Sequence, residues 1–108
     1  MTTPLDEAGF ESAADATLLA LQKRLDGLGL DAEVELAMGI LSIEFGDGAK
    51  YVVNSHRAAK QIWMAAERSA WHFDPAADGR WVASKSGEEL GTVLSGVLAR
   101  KLGVTVAL

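Results

Sequence analysis

The spacing of the apolar residues changes twice along the chain, from helical to alternating and back to helical. This pattern constrains the fold more than any other feature of the sequence. In the first segment apolar residues recur every three or four positions, as on one face of a helix. They are Phe10, Ala14, Leu18, Leu21 and Leu25. Thr3 and Pro4 are the predicted cap and first residue of this helix, and Gly27 and Gly29 are its predicted end.

Apolar and polar residues alternate in the middle of the chain, which is typical of strands with one buried face. Alternation predicts strands over residues 31–36 and 41–45, joined by a turn near Met38 and Gly39. A third strand, 51–53, follows the turn at 46–48, and residues 54–60 are predicted to be a loop. Residues 61–66 are a possible strand whose propensities also allow a helix, and 71–73 and 80–83 complete the set.

The helical spacing returns near the C-terminus. Ser86, with Glu89 three residues later, fits a capping box that would open a second helix. Gly103 would end this helix, leaving residues 104–108 as an extended tail. The order of elements predicts an α+β two-layer sandwich, with both helices on one face of a five- to six-stranded antiparallel sheet and the other face open to solvent. We expect residues 1–108 to form one domain.

Composition excludes several kinds of site. The chain has no cysteine, which excludes disulfides, thiolate metal sites, cysteine nucleophiles and cysteine-held clusters. No apolar run approaches the ~20 residues that span a bilayer, and the N-terminus lacks the basic start and apolar stretch of a secretory signal. We therefore expect a soluble, cytoplasmic protein without a membrane partner.

Charge is distributed unevenly between the two halves of the chain. Residues 1–48 hold ten acidic and two basic residues, whereas residues 49–108 hold five acidic and eight basic residues. An acidic half repels nucleic acid and attracts cations or basic protein surfaces. The alternative is a solvated surface whose charge is uneven without a function.

Several motifs in this order resemble the frataxin family in its short bacterial CyaY form, over nearly the full chain. They are the segment 39–45 followed by the turn 46–48 and by 51–54, then Gln61-Ile62-Trp63, then Trp71-His72-Phe73-Asp74, and Trp81 followed by Ser86-Gly87-Glu88. Two features depart from the family. His56 and Ala58 stand where the family usually has Gln and Pro, and Gln22 and Lys23 stand where bacterial members often carry a Glu pair.

The resemblance implies an accessory protein of iron–sulfur cluster assembly that is not an enzyme and binds iron. Carboxylates are suitable ligands for hard cations. We expect weak, exposed binding of Fe²⁺ or Fe³⁺, with other divalent cations able to substitute, on a common rim formed by the first helix and the first strand. The candidate ligands are Glu11, Asp15, Asp26, Asp31, Glu33 and Glu35.

Trp63 is the main candidate for partner binding. Alternation directs Ile62 and Met64 to the core and leaves Trp63 on the open face of the sheet. Exposed tryptophans are common anchors of interfaces. The resemblance implies docking on a cysteine desulfurase and its scaffold protein through Asn54, Gln61, Trp63 and His72. It also implies that the acidic rim can be a docking surface for a basic patch on the desulfurase.

The remaining aromatic residues and His56 have simpler interpretations. Trp71, Phe73 and Trp81 are expected in the core, and His56 is expected in a surface loop. Two other functions remain open: an interaction module that holds no metal in the cell, and an acid–base enzyme, which would require a pocket with a buried carboxylate. We expect a monomer, with an iron-dependent oligomer as the alternative.

Overall fold

The protein is a meandering antiparallel sheet with a helix at each end of the sequence. The computed structural model describes residues 6–108, apart from the side chain of Glu7, and the predicted helix start at Thr3 and Pro4 lies outside this range. In the described residues the strands follow one another in the sheet in sequence order. The elements are α1 (Glu7–Leu28), β1 (Ala32–Ala37), β2 (Ile40–Phe45), β3 (Lys50–His56), β4 (Gln61–Ala66), β5 (Ser69–Pro75), β6 (Trp81–Ala83) and α2 (Leu90–Leu102). The predicted α+β two-layer fold is confirmed.

Helix α1 buries the apolar stripe that its sequence predicts. The carboxylate of Asp6 accepts a hydrogen bond from the backbone N–H of Gly9 at 2.7 Å and so caps the N-terminus. Gly29 ends the helix in a left-handed conformation, at φ 62°, which glycine adopts without steric cost. Gly27, the other predicted end, lies inside the last turn. The helix packs across β1, β2 and β3.

The sheet has an inner face covered by the helices and an outer face that they leave open. On the inner face, apolar residues of five strands join one core with both helices. They include Leu41, Ile43, Tyr51, Val53, Ile62, Met64, Phe73 and Trp81, all less than 9% exposed. Trp71 lies on the same face but is only partly buried against the core. The prediction of core aromatics is therefore confirmed for Phe73 and Trp81, and in weaker form for Trp71.

The turn between β1 and β2 forms where it was predicted. Met38 and Gly39 both have positive φ, 53° and 77°, as a two-residue hairpin turn with the twist of the flanking strands requires. Gly39 also lies so close to β3 that an added Cβ would be 2.7 Å from Oγ of Ser55. The turn therefore has two reasons to use glycine at this position.

Strand β3 continues beyond the predicted boundary. Residues 54–56 were predicted to be part of a loop, but Asn54, Ser55 and His56 pair with Trp63, Ile62 and Gln61 of β4. The prediction was wrong because polar residues here occupy a half-buried ladder, where pairing outweighs propensity. The same ladder decides that residues 61–66 form a strand.

The start of α2 differs from the predicted capping box. The helix cap is Glu89, whose carboxylate accepts hydrogen bonds from the N–H groups of Gly91 and Thr92. Ser86 accepts only from the N–H of Glu88, within the preceding turn. The prediction was wrong because residues 82–89 still belong to the edge of the sheet, through a bridge between Val82 and Glu89. The helix can begin only after this pairing ends.

After Gly103 ends α2, the chain returns to the core through Val106 and Leu108, whereas Val104, Thr105 and Ala107 are exposed. Val106 is 8% exposed, and the backbone N–H of Leu108 donates to Oγ of Ser95 at 3.0 Å. The tail is thus packed on α2. None of the helices within residues 6–108 combines the length and the apolar character that a membrane crossing requires.

Candidate interaction and metal-binding surfaces

Strand register brings the predicted partner-binding residues together on the outer face. Asn54, Trp63 and His72 lie directly opposite one another across β3, β4 and β5. Gln61 lies two residues before Trp63 on the same strand and therefore on the same face. The structure thus brings Asn54, Gln61, Trp63 and His72 into one patch, as the alternation predicted, while their role in binding stays a prediction.

The indole of Trp63 is covered on both faces by imidazole rings. The ring centroids of His56 and Trp63 are 3.8 Å apart with an angle of 15° between the planes. Those of Trp63 and His72 are 4.3 Å apart at 12°. We call His56, Trp63 and His72 the ring stack. Because the flat faces of Trp63 are used inside the stack, the half-buried indole presents its edge to solvent.

A chain of hydrogen bonds sets the rotation of the indole in its plane. Nε1 of Trp63 donates to Oε1 of Gln61 at 2.8 Å, and Nε2 of Gln61 donates to Oδ1 of Asp74 at 2.9 Å. Asn54 donates to the backbone carbonyl of Ser55 at 3.3 Å. The side-chain amides of Asn54 and Gln61 are therefore each oriented by a hydrogen-bond partner.

Sequence reasoning missed two residues of this patch, His56 and Asp74. His56 was assigned to a loop, and Asp74 was used only as part of a motif. The signal that could have found His56 is the period of two: Asn54 and His56 share a face if β3 extends to residue 56. The extension was not predicted because residues 54–56 have no apolar alternation.

The acidic residues of α1 do not form a single group. Oε1 of Glu11 forms an ion pair with Nε of Arg57 at 2.8 Å, which links α1 to the turn between β3 and β4. Asp15 is exposed beside a shallow groove that it shares with Leu36 and Met38 of the β1–β2 hairpin. Asp26 is exposed near the end of the helix.

The acidic residues of β1 project away from α1. Ala32, Val34 and Leu36 face the helix, so that Glu33 and Glu35 point to the outer face. Glu33 lies directly opposite Glu44 of β2, and like charges in this position repel. Asp31 is exposed just before the strand and lines the same depression as Glu33 and Glu44.

The acidic residues of α1 therefore lie on the inner side of the sheet and those of β1 on its outer face, instead of on one common rim. Among the side chains that the structure describes, which leave out Glu7, no three His, Asp or Glu groups come close enough to hold a metal ion together. A cation bound here would have one or two carboxylates of the chain and keep most of its water. The metal-binding roles of Glu11, Asp15, Asp26, Asp31, Glu33 and Glu35 stay predictions.

Two ionisable groups with shifted pKa values, Asp47 and Tyr51, lie at the opposite end of the sheet from the ring stack. The Lys101 ammonium donates to Asp47 and, together with the N–H of Ala49, lowers the pKa of that carboxyl. Burial, helped by the hydrogen bond to Glu67, raises the pKa of Tyr51 to about 12. Within the described part of the chain, no Asp or Glu side chain is buried as an acid–base site requires.

The chain matches the frataxin-like domain over residues 3–104. It is similar to two iron–sulfur cluster assembly proteins named CyaY. That of Ectopseudomonas mendocina is 34% identical over 100 residues, covering 92% of this chain and 91% of the relative. That of Ralstonia pickettii is 35% identical over 109 residues, covering 97% and 96%.

Solved structures of frataxins share the fold. The frataxin of Psychromonas ingrahamii has a TM-score of 0.88 at 24% identity, covering 95% of this chain and 97% of its own. A trimeric frataxin of Saccharomyces cerevisiae, complexed with ferrous iron, has a TM-score of 0.73 at 26% identity, covering 95% and 91%. The match over residues 3–104 and the identities to the bacterial relatives lead to one conclusion: this chain belongs to the frataxin-like family.

Proposed function

We propose that this chain is an accessory protein of iron–sulfur cluster assembly that catalyses no reaction itself and docks on a cysteine desulfurase and its scaffold protein. The names of its bacterial relatives support the pathway. The observation that carries the docking proposal is the ring stack on a sheet face that neither helix covers.

The chemistry of the outer face is that of a protein interface. The ring stack supplies a rigid aromatic surface, and the amides of Asn54 and Gln61 supply hydrogen-bonding groups beside it. Interfaces combine buried aromatic anchors with a polar surround in this way, and rigid side chains lose little entropy on binding. The patch therefore suits a protein partner better than a small substrate.

We propose the exposed carboxylates around β1 as a second, weaker binding region. Exposed carboxylates of α1 and β1 attract hard cations and basic protein surfaces. Iron, as Fe²⁺ or Fe³⁺, would bind with water still attached, and other divalent cations would compete with it. The yeast relative complexed with ferrous iron supports an association with this metal. A basic patch on the desulfurase would compete for the same carboxylates.

The alternative is an interaction protein that regulates the desulfurase and binds no metal in the cell. Two observations favour it: Glu11 is already paired with Arg57, and the described side chains contain no group of three candidate ligands. Three further expectations stay predictions: a single domain over residues 1–108, a cytoplasmic location, and a monomeric state with an iron-dependent oligomer as the alternative.

A pull-down with the desulfurase and its scaffold protein tests the docking proposal. We expect Trp63→Ala to lower affinity about tenfold or more, as truncation of an interface anchor does. Glu33→Lys with Glu35→Lys should weaken binding to the desulfurase and leave binding to the scaffold protein unchanged. Loss of the two stacked pairs should also lower the free energy of unfolding by about 1–3 kcal/mol, so that circular dichroism must confirm folding under the binding conditions.

Two matched controls make the result specific. Val52→Ala changes a half-buried residue of the same face outside the ring stack and should leave binding unchanged. Asp78→Lys with Glu88→Lys makes the same change in net charge next to β6, at the other edge of the sheet. Wild-type affinity in the Trp63→Ala variant would contradict the docking role of the outer face.

A further inference from the structure

His56 covers the face of Trp63 opposite to His72, and it has no role in the function described so far. The closer of the two contacts in the ring stack is the one to His56, at 3.8 Å between centroids, against 4.3 Å for His72. Without the His56 ring, one face of the indole would be open to water. The indole could then turn away from His72, since exposed side chains change rotamer readily.

The imidazole of His56 is itself held in place by the backbone. The residue ends β3, where its Cα lies opposite that of Gln61. Its Nδ1 accepts a hydrogen bond from the backbone N–H of Ala59 at 3.3 Å. The intervening turn is tied to α1 by the pair between Arg57 and Glu11. The ring thus has fixed support on the strand side and on the turn side.

We propose that His56 is a positioning residue for the docking surface, holding the indole of Trp63 against His72 so that a partner meets the edges of these two rings in one fixed arrangement. The proposal rests on the function proposed above and adds a residue to it. His56 acts through Trp63, and its ring, not its hydrogen bond to Ala59, is the active feature.

The size of the effect follows from the order imposed on Trp63. A free indole would populate several rotamers. If a partner accepts only one of them, the affinity is multiplied by the fraction of molecules in that rotamer. Immobilising one such side chain on binding corresponds to a decrease in affinity of about fivefold. A smaller ring stack should therefore bind more weakly without any loss of a direct contact.

Three substitutions of His56 separate the ring from the hydrogen bond. His56→Phe keeps a stacking ring and removes the acceptor, whereas His56→Asn keeps an acceptor near the position of Nδ1 and removes the ring. His56→Ala removes both. Affinity for the desulfurase and scaffold complex is measured for each by calorimetry, and the indole N–H signal of Trp63 is followed by NMR without a partner.

We expect His56→Phe to bind as the wild type, and His56→Asn and His56→Ala to bind about fivefold more weakly. In the latter two, the indole N–H signal of Trp63 should shift and broaden. Normal binding of His56→Asn with weak binding of His56→Phe would overturn the proposal in favour of a role in the turn. Equal binding of all variants would overturn it as well.

The result also separates this proposal from the proposed function. If the wild-type chain does not bind the complex, the docking function fails and the role of His56 in docking fails with it. If the wild type binds and His56→Ala binds equally well, only the positioning role fails.

Discussion

At the residue scale, Tyr51 shows how burial changes the acid–base behaviour of a side chain. It is 1% exposed, its ring contacts that of Phe45 edge to face at 4.8 Å, and its hydroxyl donates to Oε1 of Glu67 at 3.0 Å. Burial first, then the hydrogen bond to Glu67 and its charge, raise the pKa of Tyr51 from 10.0 to about 12. A raised folded-state pKa stabilises the fold below pH 10, and this contribution is lost as pH rises to 12.

We predict that Tyr51→Phe lowers the free energy of unfolding near neutral pH by about 1 kcal/mol, the net value of one hydrogen bond. The wild type should lose this advantage between pH 10 and pH 12, whereas the variant has no phenol to titrate. Urea unfolding of both proteins over this range measures the difference.

Absorbance of tyrosinate provides a direct check, because Tyr51 is the only tyrosine of the chain. Glu67→Gln is the matched control. It keeps an acceptor for the hydroxyl and removes the negative charge, so that the phenol should ionise at lower pH than in the wild type. Ionisation of wild-type Tyr51 near pH 10 would contradict the buried setting of its hydroxyl.

At the scale of the elements, the boundary of α2 is decided by the strand before it. Ala83 donates its backbone N–H to the carbonyl of Glu88 at 2.8 Å, and Gly87 donates to the carbonyl of Ala83 at 2.7 Å. These bonds hold residues 83–88 in a turn at the edge of the sheet. Glu89, with φ −96° and ψ 144°, is the last extended residue and therefore becomes the cap.

We predict that Glu89→Ala lowers the free energy of unfolding by about 1 kcal/mol, because two N–H groups of the first turn lose their acceptor. Glu89→Gln keeps an acceptor oxygen and should lose less. Ser86→Ala should have a much smaller effect, since the hydrogen bond of Ser86 is to Glu88, before the helix begins. Thermal and urea unfolding of the three variants check the order; a larger loss in Ser86→Ala than in Glu89→Ala would contradict the observed cap.

At the scale of the whole molecule, the acidic residues of α1 and β1 lie on opposite faces of the sheet. They therefore cannot bind one cation together. Helix α1 lies on the inner face, whereas Glu33 and Glu35 point to the outer face. Glu33 and Glu44 lie directly opposite each other on the outer face, and Glu44 also lies opposite Lys50 of β3. A cation near this pair would relieve their repulsion.

We predict that Co²⁺ or anaerobic Fe²⁺ shifts and broadens the amide signals of Asp31, Glu33 and Glu44 more strongly than that of Glu11, whose carboxylate is paired with Arg57. Binding should be weak, with a dissociation constant of about 0.1 mM or higher, as for exposed oxygen sites with few ligands. NMR titration at physiological salt measures it.

Two variants test the assignment to β1. Glu33→Gln with Glu35→Gln should weaken binding at least about fivefold, because two attractive charges are removed without a change in side-chain size. Arg57→Ala should strengthen the response of Glu11 by freeing its carboxylate. Unmoved signals throughout residues 11–35 would exclude the metal-binding role and leave the interaction protein as the better proposal.

Local pattern predicted the elements that bury a regular apolar face. The stripe from Phe10 to Leu25 and the alternation around Ile43 and Val53 specify helix and strand from neighbouring residues alone. The outward direction of Trp63 followed from the same period of two. Sequence was therefore sufficient for the order of elements, for the fold class and for the outer-face position of Trp63.

Contacts between distant residues decided the rest. His56 became a strand residue because it pairs with Gln61, and Glu89 became a cap because Val82 keeps residues 82–89 at the sheet edge. The ring stack joins three strands, and the separation of the α1 acids from Glu33 depends on which face of the sheet the helix covers. Local periodicity determines which face of an element is apolar, whereas the neighbours of a polar side chain depend on packing and register, which only the tertiary structure decides.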